Sequence, residues 1–150
     1  MYIIFDTETT GLPRDYNAPI TDLDNWPRVV QLAWQLHDSR GKLLRAQNFI
    51  IKPEGYTIPY NAEKVHGIST ERALKEGHDL AEVLAIFNQD AAQATYLVGH
   101  NIEFDIKVTG AEFLRKEGIP VTPLFSKKEQ ELLEFHSEFS ELENTISSFD

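Results

Sequence analysis

The chain opens on an apolar run, Tyr2, Ile3, Ile4 and Phe5, of the kind that forms a strand buried on both faces. A second strand is expected over residues 30–37, where Val30, Leu32, Trp34 and Leu36 alternate with Gln31, Ala33, Gln35 and His37. That period of two marks a half-buried strand. Asp38, Ser39, Arg40 and Gly41 supply a turn, and residues 43–51 return as a third strand stopped by Pro53. Between the first two strands, residues 12–28 are irregular, with Pro13, Pro19 and Pro27 set among Asp15, Asn17, Asp22, Asp24 and Asn25. So long a connection is either a functional or partner-facing loop or an ordinary surface insertion.

Helical signals then take over. Residues 60–66 follow Pro59 and end at Gly67, a residue suited to closing a helix in the left-handed conformation. Ser69 and Thr70 start another short helix through Leu74. Asp79 with Glu82 forms a capping box, and Leu80, Val83, Leu84 and Phe87 build one apolar face. Tyr96, Leu97 and Val98 make a short buried strand that ends at Gly99. A helix follows to Glu117, with Gly118 and Pro120 as its stop. Ser126 with Glu129 opens a last amphipathic helix, along which Leu132, Phe135, Phe139 and Leu142 recur. This alternation predicts parallel pairing in the second half, hence an α/β fold with a mixed sheet and helices packed on it.

Composition narrows the function classes. With 150 residues and 41% hydrophobic content, the chain has material for one domain with a real core. No run of about 18 apolar residues occurs, so no membrane span and no membrane partner are expected. Met1 leads straight into the first strand without a basic or hydrophobic leader, so no signal peptide is expected. The sequence has no cysteine. Disulfides and thiolate zinc sites are thereby excluded, and a cytoplasmic location is the expectation. The formal net charge of −10 is the wrong sign for gripping a duplex through its phosphates. Either nucleic acid is not the ligand, or bound metal ions supply the positive charge at a small acidic site.

Such a site is legible at the end of the first strand. Asp6 and Glu8 are separated by one residue, so on an extended backbone both carboxylates leave on the same side. Their mutual repulsion is costly unless a cation sits between them. Asp105 begins the helix that follows the short strand at 96–98, and ligands of open α/β sheets gather at such strand ends. If that strand lies beside the first, Asp105 faces Asp6 and Glu8. Three carboxylates with oxygen donors alone suit Mg²⁺ or Mn²⁺. Two such ions roughly 4 Å apart can clamp the attacking and leaving oxygens of a phosphodiester. The plainer reading makes Asp105 a helix N-terminal acid favoured by the helix dipole.

FDTETTG (residues 5–11), KVHGIS (64–69) and GHNIEFD (99–105) together resemble the DEDD exonuclease superfamily, in particular the proofreading epsilon subunit of bacterial DNA polymerase III and its DnaQ-like kin. The likeness covers residues 1–123. It implies a ribonuclease H-like fold, two divalent cations (Mg²⁺ or Mn²⁺) and 3′→5′ hydrolysis of nucleic-acid ends. Under it Asp6 bridges the two metals, Glu8 holds one and orients the water, and Asp105 holds the other. Thr7, Thr9 and Leu12 cradle and wedge the terminal nucleotides, and His66 and Phe104 line the pocket of the 3′-terminal one. His66 as a helix-end polar residue, and Phe104 and Leu12 as core, are the plain alternatives. His100 and Asn101 read as braces of their loop.

Past Pro123 the family pattern is lost. The family's third motif pairs a histidine or tyrosine general base with a fourth aspartate. Its nearest match here is His136 with Glu141, only 31 residues after Asp105 (136 − 105). The chain therefore divides into an exonuclease-like part, residues 1–125, and an acidic helical tail, 126–150, that is not family-like. The usual C-terminal part of the family domain is expected to be lacking from these 150 residues. The tail carries two lysines and seven acids, net −5 (2 − 7), and either covers the sheet or docks on a partner. The first functional expectation is a metal-dependent 3′→5′ exonuclease on single-stranded 3′ ends, DNA favoured over RNA, in replication proofreading or repair, truncated and of reduced activity. The second is a catalytically silent module that binds nucleic-acid ends or a DNA polymerase subunit. An RNA-directed relative is the third.

Overall fold

The computed structural model of this 150-residue chain describes residues 1–116. Four strands form one sheet in the order β3-β2-β1-β4, with β1 spanning Tyr2–Thr9, β2 Val29–His37, β3 Leu43–Ile50 and β4 Tyr96–Val98. β1 pairs antiparallel with β2 and parallel with β4, and β2 pairs antiparallel with β3, so the sheet is mixed as expected. Three helices, α1 (Tyr60–His66), α2 (Thr70–Glu76) and α3 (Leu80–Ala91), connect β3 to β4, and β4 leads into α4 (Ile102–Arg115). The tail helix, its capping box and the Gly118–Pro120 stop lie outside the described residues.

Helix boundaries follow the capping chemistry. Gly67 takes φ 77° at the end of α1, and its N–H returns to the Glu63 carbonyl. Ser69 accepts from the Arg72 N–H at the start of α2, and Asp79 accepts from the Glu82 N–H at the start of α3. The apolar face of α3 joins the sheet, where Phe87 packs against Phe5 and Trp34 with ring centroids 5.2 and 5.1 Å apart. Val108 and Phe113 of α4 complete this main core with Ile3, Leu32 and Leu36. Val30, Ile58, Ala62, Ile68 and Ala73 form a smaller one beneath α1 and α2.

Two expectations for β2 need correction. The alternation predicts a half-buried strand, yet every residue from Val29 to His37 is buried. β2 lies inside the sheet, and its polar side chains are satisfied there. Gln31 donates to Asn48 Oδ1 at 2.8 Å, while His37 bonds Gln35 through Nε2 and stacks on Tyr2. The register also slips between Glu8 and Thr9, so that Thr9 pairs with Val29 rather than Val30. Val29 therefore joins Leu32, Trp34 and Leu36 in the main core, and Val30 turns to the smaller cluster. Such a bulge re-aims side chains at a strand end, here the end that carries the acids.

Residues 12–28 are neither partnerless nor loosely attached. Glu112 of α4, fully buried, receives Arg28 Nε at 2.9 Å, Arg115 Nη1 and the Val29 N–H. Arg115 also donates to the carbonyls of Leu23 and Trp26 at 2.7 and 2.8 Å, and Trp26 Nε1 donates to the Pro19 carbonyl. One carboxylate thus ties the loop, β2 and α4 together. Removing one member of a buried ionic group strands the others without water or partner. Glu112→Ala is expected to cost about 3 kcal/mol of stability, read as a lowered urea midpoint with an unchanged denaturant slope.

Candidate active site

Backbone geometry puts the acids together. β4 matches only Tyr2, Ile3 and Ile4 of β1, so among the described residues the edge of β1 beyond Ile4 has no strand partner on that side. Gly99 makes the turn out of β4 possible, since a Cβ there would lie 3.1 Å from the Phe5 carbonyl oxygen and 3.0 Å from Ile102 Cδ1. That close approach brings the first turn of α4 against β1. Asp105 Oδ1 there accepts the Thr7 N–H at 3.2 Å and the Thr7 hydroxyl at 2.7 Å. The carboxylate fills the place that a carbonyl of a longer β4 would have taken.

Asp105 is 3% exposed. Burial, the neighbouring Asp6 charge and, to a smaller degree, Glu8 hold its carboxyl well above the usual carboxylate range, against the pull of the two Thr7 bonds. Asp6 and Glu8 sit half-buried on β1 opposite Ala33 and Gln31. The three acids are thus within electrostatic reach of one another. Their donors are carboxylate oxygens, the right chemistry for Mg²⁺ or Mn²⁺. Among the described residues, however, no three His, Asp or Glu side chains already stand in a ready metal cage.

A cleft of about 420 Å³ opens beside them, and its walls include Thr7, Glu8, Thr9, Leu12, His66 and Phe104. The sequence-predicted binding residues therefore meet in one place. Leu12 is 75% exposed, which removes the reading of it as core. Phe104 does both jobs, packing against the main core and facing the cleft. His66 is held by its backbone neighbours: Nδ1 accepts the Ile68 N–H at 3.1 Å, so Nε2 carries the proton and donates to the Thr9 carbonyl at 3.2 Å. Thr9 Oγ1 bonds the Gly11 carbonyl at 2.7 Å and so shapes the turn. Thr7 holds Asp105 as well as lining the cleft. Asn101 braces its loop by its main-chain carbonyl, which accepts the Phe104 and Asp105 N–H groups, and makes no side-chain cap.

Sequence reasoning missed Asn61 and Val65, which line the cleft from α1. Their spacing from each other, i to i+4, with Ala62 and His66 one step on, places all four on adjoining rows of one helix. The helical spacing around His66 was thus a usable signal. His136 and Glu141 lie outside the described residues, as does the tail at 126–150.

The chain resembles known proteins in both sequence and fold. The family model RNase_T, described as exonuclease, matches residues 3–133 and so runs into the segment set apart at 126–150. The PolC-type DNA polymerase III of Latilactobacillus sakei is 31% identical over 124 residues, covering 77% of this chain and 7% of the relative. That of Streptococcus thermophilus is 30% identical over 135 residues, covering 89% of this chain and 8% of the relative. The chain therefore spans less than a tenth of these relatives' length. E. coli exonuclease I in complex with a dT13 oligonucleotide shares the fold, with a TM-score of 0.65 at 22% identity, over 89% of this chain and 27% of that one. Its complex with a dA16 oligonucleotide gives a TM-score of 0.61 at 25% identity, over 76% of this chain and 23% of that one.

The raised Asp105 carboxyl has a consequence for stability. The metal-free native state binds its Asp105 proton more tightly than the unfolded chain, which releases it near pH 4. The associated stability is full below that pH and is lost as pH rises through the native value. Asp105→Asn is expected to raise the melting temperature of the metal-free protein at pH 7, and to flatten its decline between pH 4 and 7. Thermal melts in EDTA across that range check both.

Proposed function

The chain belongs to the RNase_T exonuclease family, and from that membership we propose that it is a metal-dependent 3′→5′ exonuclease acting on single-stranded DNA ends in replication proofreading or repair. The observation that carries the reading is the meeting of Glu8, Leu12, His66 and Phe104 around one cleft, beside the buried Asp105 and its neighbour Asp6. The relatives named as DNA polymerases and the oligonucleotide complexes of exonuclease I support DNA as the substrate.

In this mechanism the 3′-terminal nucleotide enters the cleft, with its base between Leu12 and the α1 wall and its sugar toward His66 and Phe104. Asp6, Glu8 and Asp105 would hold the divalent ions, which when bound supply positive charge for the phosphodiester and acidify water. Glu8, in the cleft wall, orients the water that attacks phosphorus. The bond from phosphorus to the 3′ oxygen of the preceding nucleotide breaks, releasing a 5′-mononucleotide and leaving a new 3′-hydroxyl. Leu12 contributes by prising the terminal base from its neighbour, a task for an exposed apolar side chain on an anchored turn. His66 keeps its Nε2 proton on the Thr9 carbonyl and so fixes the cleft wall rather than exchanging a proton.

A 5′-labelled single-stranded oligonucleotide, incubated with Mg²⁺, Mn²⁺ or EDTA, tests the reading. A ladder shortened from the 3′ end is expected with metal and not with EDTA. Asp6→Ala should reduce it about 100-fold or more, since even outer-shell partners of metal ligands are worth 10–100-fold. Folded protein that binds the oligonucleotide yet yields no ladder would replace this reading with that of a silent binding module. Leu12→Ala should raise KM for oligonucleotides several-fold without moving the melting temperature, because an exposed side chain contributes little to the core. Steady-state kinetics with a parallel melt checks it.

A further inference from the structure

A second concavity, about 280 Å³, adjoins the first across the turn of Thr10, Gly11 and Leu12, which walls both. Leu12 stands between the two as an exposed ridge. The far walls of the second cleft include Arg14, Asp24, Trp26 and Arg28. We propose that this cleft seats the nucleotide upstream of the terminal one, with the Arg14 guanidinium on its phosphodiester. The inference rests on the exonuclease reading above and extends the strand's path beyond the cleft of the acids.

The state of the arginines carries the argument. The sequence has six. Arg28 and Arg115 are spent on Glu112, Arg45 on Asp90 and Arg72 on Glu76. Arg40 sits in the turn between β2 and β3, at the other end of β1 from the acids. Arg14 alone of the six is both in a cleft wall at the site and without a carboxylate partner among the described residues. Its Nη2 makes a long bond, 3.4 Å, to the neutral Asp24 carbonyl. A guanidinium fork suits phosphate oxygens bidentately and keeps its charge at any working pH. In a chain of net charge −10, an arginine without a carboxylate partner beside the entrance matters for a polyanion's approach.

The wall is also rigid, so little ordering opposes binding. Trp26 is buried and bonded to Pro19, Arg28 N–H and C=O both pair with Thr10, and Asn25 pairs with Asp15 through both groups of its side-chain amide. Asp24, exposed in the same wall, opposes phosphate. Its removal should therefore act in the direction opposite to removal of Arg14.

Fluorescence anisotropy of 5′-labelled dT4, with displacement by thymidine 5′-monophosphate, tests the assignment on the whole chain with Ca²⁺ in place of Mg²⁺. The mononucleotide fills the first cleft alone, whereas dT4 crosses Leu12. Arg14→Ala is expected to weaken dT4 about three- to tenfold and to lower its salt slope by about 0.7. The mononucleotide displacement constant should stay unchanged. Arg14→Lys should recover part of the loss, and Asp24→Asn should tighten dT4. Equal weakening of dT4 and mononucleotide would reduce Arg14 to a support of the shared turn and overturn the proposal. Unchanged dT4 affinity, or no dT4 binding by the unsubstituted chain, would overturn it too. Arg14-dependent dT4 binding in a chain that gives no metal-dependent ladder would refute the exonuclease reading and leave the cleft assigned.

Discussion

A single backbone N–H without a strand partner governs the site. β4 is three residues long and pairs with β1 only through Ile4, so the amide of Thr7 has no carbonyl of β4 to meet. An unpaired buried amide costs as much as a lost hydrogen bond, and Asp105 meets the need with a carboxylate. The same bond that completes the sheet edge thereby delivers an acid from α4 to the two acids of β1. Shortening a strand by a few residues is what makes room for chemistry at its end.

The electrostatic consequence follows from the same contact. A carboxylate 3% exposed beside Asp6 and Glu8 is costly to ionise, and cations offset that cost. The acidity of the whole chain and its membership in a nuclease family are therefore compatible in physical terms. On the proposed reading, attraction for a polyanion comes from ions held by the acids and from local cations such as Arg14, rather than from a basic surface.

Support for the cleft is spread over residues far apart in sequence. Glu112 gathers Arg28, Arg115 and the Val29 amide, and so fixes both the end of β2 and the loop that carries Leu12. His66 is fastened to Thr9 and Ile68, which joins α1 to the acid-bearing strand. The cleft walls are thus held by hydrogen bonds to main-chain groups, and their shape does not depend on a ligand to assemble them.

Much of this was written in local sequence, because local rules decide it. The apolar run before Asp6, the i, i+2 spacing of Asp6 and Glu8, the cap at Asp79 and the stop at Gly67 each depend on neighbours a few residues away. Asp105 could be suspected from its place after a short strand, but its approach to Asp6 depended on β4 lying beside β1. Only tertiary structure could decide what rests on distant partners. The slip between Glu8 and Thr9 moved Val29 into the main core and Val30 into the smaller one, against the alternation. The interior position of β2 buried Gln31, Gln35 and His37, which alternation alone places in water. The loop at 12–28 reads as irregular; its attachment to β2 and α4 comes from Glu112, more than eighty residues away, and no local pattern encodes a partner at that distance.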